Sequence, residues 1–213
     1  MVRANGGDPS RVAVLYFSGR PVSALTTQGV PMADPTTDHL LIPAWVDGEL
    51  QPVDKLEVHR LGLRHKAISV FVMNGEEVLL QRRALHKYHT PGLWANTCCT
   101  HPHWDEDPAA TAVRRLDEEL GIKGIYPAHC DQVEYRAPVG NDLIEHEVVD
   151  IYLAAVDRQI EVTPNPNEVA EVEWMGFYEL TAEVKRHPEK YTPWLRIYLE
   201  EHRDRIFGTL MKV

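Results

Sequence analysis

The chain has 213 residues, 44% hydrophobic and 25% charged, an ordinary globular composition long enough for one sizeable core. Its net charge of −10 repels nucleic acid and anionic membrane surfaces, so an anionic small molecule would need a local basic cluster. No run of about 18 apolar residues is present, and MVRANGGDPSRVAV lacks the apolar stretch of a secretory signal, so a cytoplasmic protein without membrane insertion is expected. Cys98, Cys99 and Cys130, an odd set with an adjacent pair, suit free thiols in a reducing compartment. The sequence leaves the oligomeric state open.

Residues 1 to 37 read as an extension of weak or partial structure, with apolar pieces at Val12 to Phe17 and Val22 to Leu25. Residues 38 to 213 read as one domain. Its β-type runs are Leu40 to Trp45, Ala67 to Met73, Glu77 to Gln81, Val133 to Ala137, Glu147 to Val156 and Ala170 to Phe177. The spacing predicts a helix over Pro108 to Leu120, with Asp107 as N-cap and Gly121 past its end. Ala109, Ala112, Val113, Leu116 and Leu120 form its expected buried stripe, with Arg115, Glu118 and Glu119 together away from it. A second helix is expected from Trp194 to Phe207. Strands in the middle with helices around them predict an α+β fold, a mixed β-sheet core flanked by helices.

The chemistry concentrates between Tyr88 and Ile122. Glu106, Arg114, Glu118, Glu119 and Gly121 match the Nudix pattern, in which helical carboxylates hold a divalent cation on a diphosphate. Thr100 and Arg115 stand where an ordinary Nudix hydrolase keeps glycine and glutamate. With Asn96-Thr97-Cys98-Cys99-Thr100-His101-Pro102, Ala84-Leu85-His86-Lys87, Glu145-His146-Glu147 and Thr192-Pro193-Trp194, the chain resembles the type I isopentenyl-diphosphate isomerases over roughly residues 38 to 200.

That resemblance implies a Nudix fold and conversion of isopentenyl diphosphate to dimethylallyl diphosphate by protonation and deprotonation, in isoprenoid biosynthesis. It makes His59, His65, His101, Glu145 and Glu147 ligands of a divalent metal, a mixed nitrogen and oxygen set open to Mn, Mg or Zn. Glu119 would hold a Mg ion that arrives with the substrate diphosphate. Cys99 and Glu147 would exchange protons with the substrate, Tyr135 would position Glu147, and Trp194 would face a carbocation. Lys55, Arg83 and Lys87 would bind the diphosphate.

Read without the resemblance, Glu145 and Glu147 share one face of a strand, the ordinary pattern of a solvated face. His59 and His65 stand one residue closer than the family leads one to expect, which leaves His59 a second reading as a surface histidine beside Arg60. Adjacent strand residues face opposite ways, so one of Arg82 and Arg83 should be solvated. Three other functions use the same residues: a Nudix pyrophosphohydrolase, an isomerase-like enzyme protonating or cyclising a longer prenyl diphosphate, and a binding module around a structural metal.

Overall fold

The computed structural model describes residues 40–208. The extension expected at residues 1–37, with its two apolar pieces, lies outside them. Within them, strands β1 (Leu41–Val46) and β2 (Glu49–Asp54) form a hairpin, followed by helix α1 (Lys55–Leu61) and the central strand β3 (His65–Asn74). Strands β4 (Glu77–Arg83), β5 (Trp94–Ala95) and β6 (Cys98–Thr100) precede helix α2 (Pro108–Leu120). Strands β7 (Ala128–Pro138), β8 (Ile144–Ala155) and β9 (Val169–Gly176) then lead to helices α3 (Phe177–Arg186), α4 (Pro193–Glu201) and α5 (Arg203–Phe207).

The strands join in one mixed sheet, as expected. β3 runs parallel to β8, with His65 beside Glu147, and antiparallel to β6, with Ser69 beside Cys99. β7 pairs antiparallel with β8 and sets Tyr135 beside Glu147. Period-two alternation along β3 divides the core. Ile68, Val70 and Val72 pack with Ala112, Leu116 and Leu120 of α2, whereas Ala67, Phe71 and Met73 pack with Leu180, Leu195, Tyr198 and Phe207 of the C-terminal helices. Because both faces are covered, β3 is almost continuously apolar after His65 and Lys66.

The six expected strand runs correspond to β1, β3, β4, β7, β8 and β9. β2 was not foreseen, because its sequence ELQPVD is polar, half-exposed and broken by proline. Nor was α1, whose seven residues are too few to show a helical period. The helix expected from Trp194 to Phe207 is two helices, since His202 (φ −120°, ψ 5°) leaves the helical region between them. That break lets Phe207 reach Phe71 and Phe177, with ring centroids 5.0 and 4.6 Å away.

α2 has the expected caps. The Asp107 side chain accepts from the Ala110 N–H at 3.0 Å, and Gly121 takes a left-handed φ of 65° where a Cβ would meet Thr163 at 3.0 Å. The expected stripe needs correction at one edge. Ala109 is exposed and Val113 half-buried, while Thr111 and Glu119 are buried. The helix turns its Thr111–Arg115–Glu119 edge inward, because Arg115 and Glu119 close the cavity described below. Among the described residues, no helix is long and apolar enough to cross a membrane.

Candidate active site

One cavity gathers most of the singled-out residues: Lys55, Arg83, Lys87, Cys99, His101, Glu119, Tyr135, Glu145, Glu147 and Trp194 all line it. His59 and His65 stand behind the lining, both fully buried. Burial rules out the surface reading of His59. α1 ends at Gly62 in a left-handed turn (φ 61°), and His65 opens β3 directly afterwards.

His59, His65, His101 and Glu145 form a buried group whose ligand atoms all lie within 4.8 Å of one another. The His59 ring Nδ1 donates to the Lys55 carbonyl and His65 Nδ1 to the Leu63 carbonyl at 2.7 Å. Those carbonyls only accept, so each Nδ1 carries the proton and a neutral ring presents a bare Nε2. His59 Nε2 then faces Glu145 Oε2 at 3.3 Å, and neither atom has a hydrogen-bond partner. His65 Nε2 lies 3.5 Å from the same oxygen and 3.2 Å from His101 Nε2. Converging acceptors need a cation or an extra proton between them. This is how a metal-ligand set looks, and the residues fit a divalent ion.

Burial opposes positive charge on His65, yet the Glu145 and Glu147 carboxylates outweigh it and raise the ring to about 9, a pull toward positive charge that either a proton or a metal ion at Nε2 would satisfy. Burial would also raise Glu145, yet His59, His65 and His89 hold it well below the usual carboxylate range. Glu147 moves the other way, pushed up by burial and by the neighbouring Glu145. Tyr135 donates to Glu147 Oε2 at 2.6 Å, and Glu147 Oε1 lies 3.0 Å from His101 Nε2.

Cys99 lies on short strand β6 and reaches the cavity, while Cys98 beside it points into the core against α2. Burial pushes the Cys99 thiol up to about 12, so it stays protonated at neutral pH. The segment before it is fixed from below: Thr97 Oγ1 accepts from Val72 N–H at 2.8 Å and donates to the Leu79 carbonyl at 2.6 Å. Trp194 opens α4 directly after Pro193 and is 3% exposed, with the Arg83 guanidinium 5.4 Å from its ring centre.

Arg83 is buried on the cavity face and donates to the His89 carbonyl at 3.2 Å. Arg82 points outward to Glu171 at 3.3 Å, so the strand alternation separates the two arginines. Lys55 is lowered to about 8 by burial and by the nearby Lys87. Glu119 accepts from Arg115 at 2.6 Å and from Gln81 at 2.9 Å.

Six lining residues were missed as part of the cavity: Gln81, Tyr88, His89, Thr100, Arg115 and Glu168. Gln81 was findable, because it lies two residues before Arg83 on the same strand face. Glu168 pairs with Lys87 and lies 3.5 Å from Arg115 across a long loop, with no local signal. His89 Nε2 lies 3.2 Å from Glu145 Oε1, the oxygen turned away from His59.

Fold and site together define the class. Residues 63–195 match the NUDIX domain. The same fold occurs in DR0079 from Deinococcus radiodurans, with a TM-score of 0.60 and 16% identity over 75% of this chain and 96% of that one. It also occurs in a MutT protein from Methanosarcina mazei, with a TM-score of 0.52 and 18% identity over 66% and 93%. Sequence similarity is far higher to proteins named isopentenyl-diphosphate Delta-isomerase. The one from Dinoroseobacter shibae is 71% identical over 170 residues, 80% of this chain and 97% of the relative. Those from Cereibacter sphaeroides and Ruegeria pomeroyi are 64% and 61% identical, over 81% and 79% of this chain and 98% and 94% of the relatives. The chain belongs to the isopentenyl-diphosphate Delta-isomerase family of Nudix proteins.

Proposed function

We propose that this chain converts isopentenyl diphosphate into dimethylallyl diphosphate in isoprenoid biosynthesis, acting in the cytoplasm. The observation that carries this reading is the meeting of a protonated thiol, Cys99, and a buried carboxyl, Glu147, in one cavity with the cationic side chains of Lys55, Arg83 and Lys87. An unactivated alkene is a weak base, so proton transfer to it needs an accurately placed donor in a water-poor site. Hydrolysis of a diphosphate needs no such thiol.

Lys55, Arg83 and Lys87 anchor the diphosphate and leave the hydrocarbon end toward Cys99, Glu147 and Trp194. Of the two acidic groups, Cys99 and Glu147, one gives a proton at one carbon and the other takes a proton at another, which moves the double bond. Tyr135 orients Glu147 by its hydrogen bond. Trp194 offers a π face to the tertiary carbocation between the two transfers, and its burial excludes the water that would quench that cation.

His59, His65, His101, Glu145 and Glu147 would hold a divalent ion, Mn, Mg or Zn. Such an ion supplies the positive charge that fixes Glu147 and sets its acidity. Glu119 would hold a Mg ion that accompanies the diphosphate.

The test is to incubate the protein with isopentenyl diphosphate in deuterated water and analyse the product. Dimethylallyl diphosphate with deuterium on carbon is expected. Phosphate release with every carbon-bound hydrogen untouched would mean a hydrolase instead.

A further inference from the structure

Asn96 opens the Asn96-Thr97-Cys98-Cys99 segment, and its side chain is fully buried. Its amide Nδ2 donates to the carbonyls of Val70 at 2.9 Å and Cys98 at 3.3 Å, and lies 3.0 Å from Ser69 Oγ. Carbonyl oxygens only accept, so the NH2 group has to face them and the amide cannot be flipped. That turns Asn96 Oδ1 onto Cys99 Sγ, at 2.9 Å. An amide oxygen only accepts, so the thiol is the donor. On its other side, Cys99 Sγ lies 3.1 Å from Ser69 Oγ. The thiol's one hydrogen goes to Asn96, so in this contact only Ser69 can be the donor.

Resting on the reading that Cys99 exchanges a proton with the substrate, we propose that Asn96, supported by Ser69, is a positioning residue for the Cys99 proton. The sulfur is held between one acceptor and one donor, and this leaves a single direction for the S–H bond. Rotation about Cβ–Sγ then carries the proton from Asn96 toward the substrate without moving the sulfur. When Cys99 gives, the S–H bond breaks, a C–H bond forms, and the electron pair stays on a sulfur that Ser69 still contacts. The backbone register supports the arrangement, because β3 and β6 pair Ser69 directly with Cys99.

The experiment compares infrared S–H stretching bands and steady-state kinetics in the full-length protein. The Cys99 band is identified by its loss in Cys99→Ala. In the wild type it should lie at the lower frequency of a hydrogen-bonded thiol. A band at the frequency of a thiol with no acceptor overturns the proposal, whether or not the Asn96 and Ser69 variants fold. Asn96→Ala should move the band up and lower kcat by about tenfold to a hundredfold, with KM within about twofold. Ser69→Ala should leave the band near its wild-type position and lower kcat less. A band unmoved in Asn96→Ala, or a KM that rises as much as kcat falls, overturns the proposal. Full turnover in Cys99→Ala would instead sink the proton-transfer reading, while the band would still report the hydrogen bond.

Discussion

The charged clamp on α2 and the His/Glu group behind the cavity use similar residue types and are built in opposite ways. On α2, Arg114 donates to Glu106 at 2.6 and 2.7 Å and to Glu118 at 2.9 Å, all within one capped helix and its entry turn. Helix geometry alone brings those side chains together, and every charge finds a partner. The His/Glu group draws on α1, β3, β8 and the residue just after β6, and its members are buried with acceptors facing acceptors. The clamp therefore stabilises the fold. The group burdens it, and persists only because the surrounding sheet over-determines it. Changes in the two regions should separate cleanly between activity and stability.

The sharpest form of that separation is Cys99→Ala, which should lower turnover by about 10²-fold to 10⁴-fold, the range of general acid–base catalysis, with the fold and substrate binding nearly intact. Cys98→Ala should do the reverse, because Cys98 is fully buried against α2 and its removal leaves a small cavity. Equal activity loss in both variants would erase the distinction. Next comes His101→Ala, which should lose most bound divalent metal and most turnover, with an unchanged or raised melting temperature when variant and wild type are compared after chelation. Full metal occupancy in that variant, measured by elemental analysis, would remove His101 from the ligand set.

Legibility in the sequence follows the same division. The caps, length and charged face of α2 could be read because each depends on residues within one or two turns. Even there, the buried edge was misplaced toward Ala109, because Arg115 and Glu119 face a cavity formed by distant strands. By spacing alone, Glu145 and Glu147 could be given a common face but not a partner. The three histidines and two carboxylates came together on paper only through the family resemblance. His89 and Glu168 were invisible, because their contacts with Glu145 and Lys87 cross loops whose path no local pattern records.

Trp194 sharpens the comparison from inside the cavity, since it is both core and candidate machinery. Trp194→Phe keeps a weaker π face, and Trp194→Leu keeps bulk without one. Turnover should fall in the order Trp, Phe, Leu. A desolvated cation–π contact is worth about 2 kcal/mol or more, so the Leu variant should be slower by at least about tenfold. KM should change far less, because the alkene carries no positive charge in the ground state. A Leu variant as fast as the wild type would remove the cation role.

The smallest effect, and the one that tests the clamp by itself, is Glu106→Gln. The Arg114 guanidinium holds the Glu106 carboxyl down at about 2, against an ordinary value of 4.5. A carboxyl lowered in the folded state contributes stability above its unfolded pKa, and that contribution is lost as pH falls through the folded one. At 1.36 kcal/mol per unit the ceiling is about 3 kcal/mol, and solvent screening of a partly exposed pair brings it to about 1–2 kcal/mol. Glutamine keeps the shape and removes the charge, so urea unfolding at pH 7 should show the variant less stable by that amount. The gap should narrow as pH drops from about 4.5 toward 2, where the wild type loses the same charge. Turnover at pH 7 should stay close to wild type, since Glu106 does not line the cavity. A stability gap that stays constant with pH would deny the ionic origin of the clamp. A large loss of turnover with unchanged stability would place Glu106 with the chemistry rather than the fold.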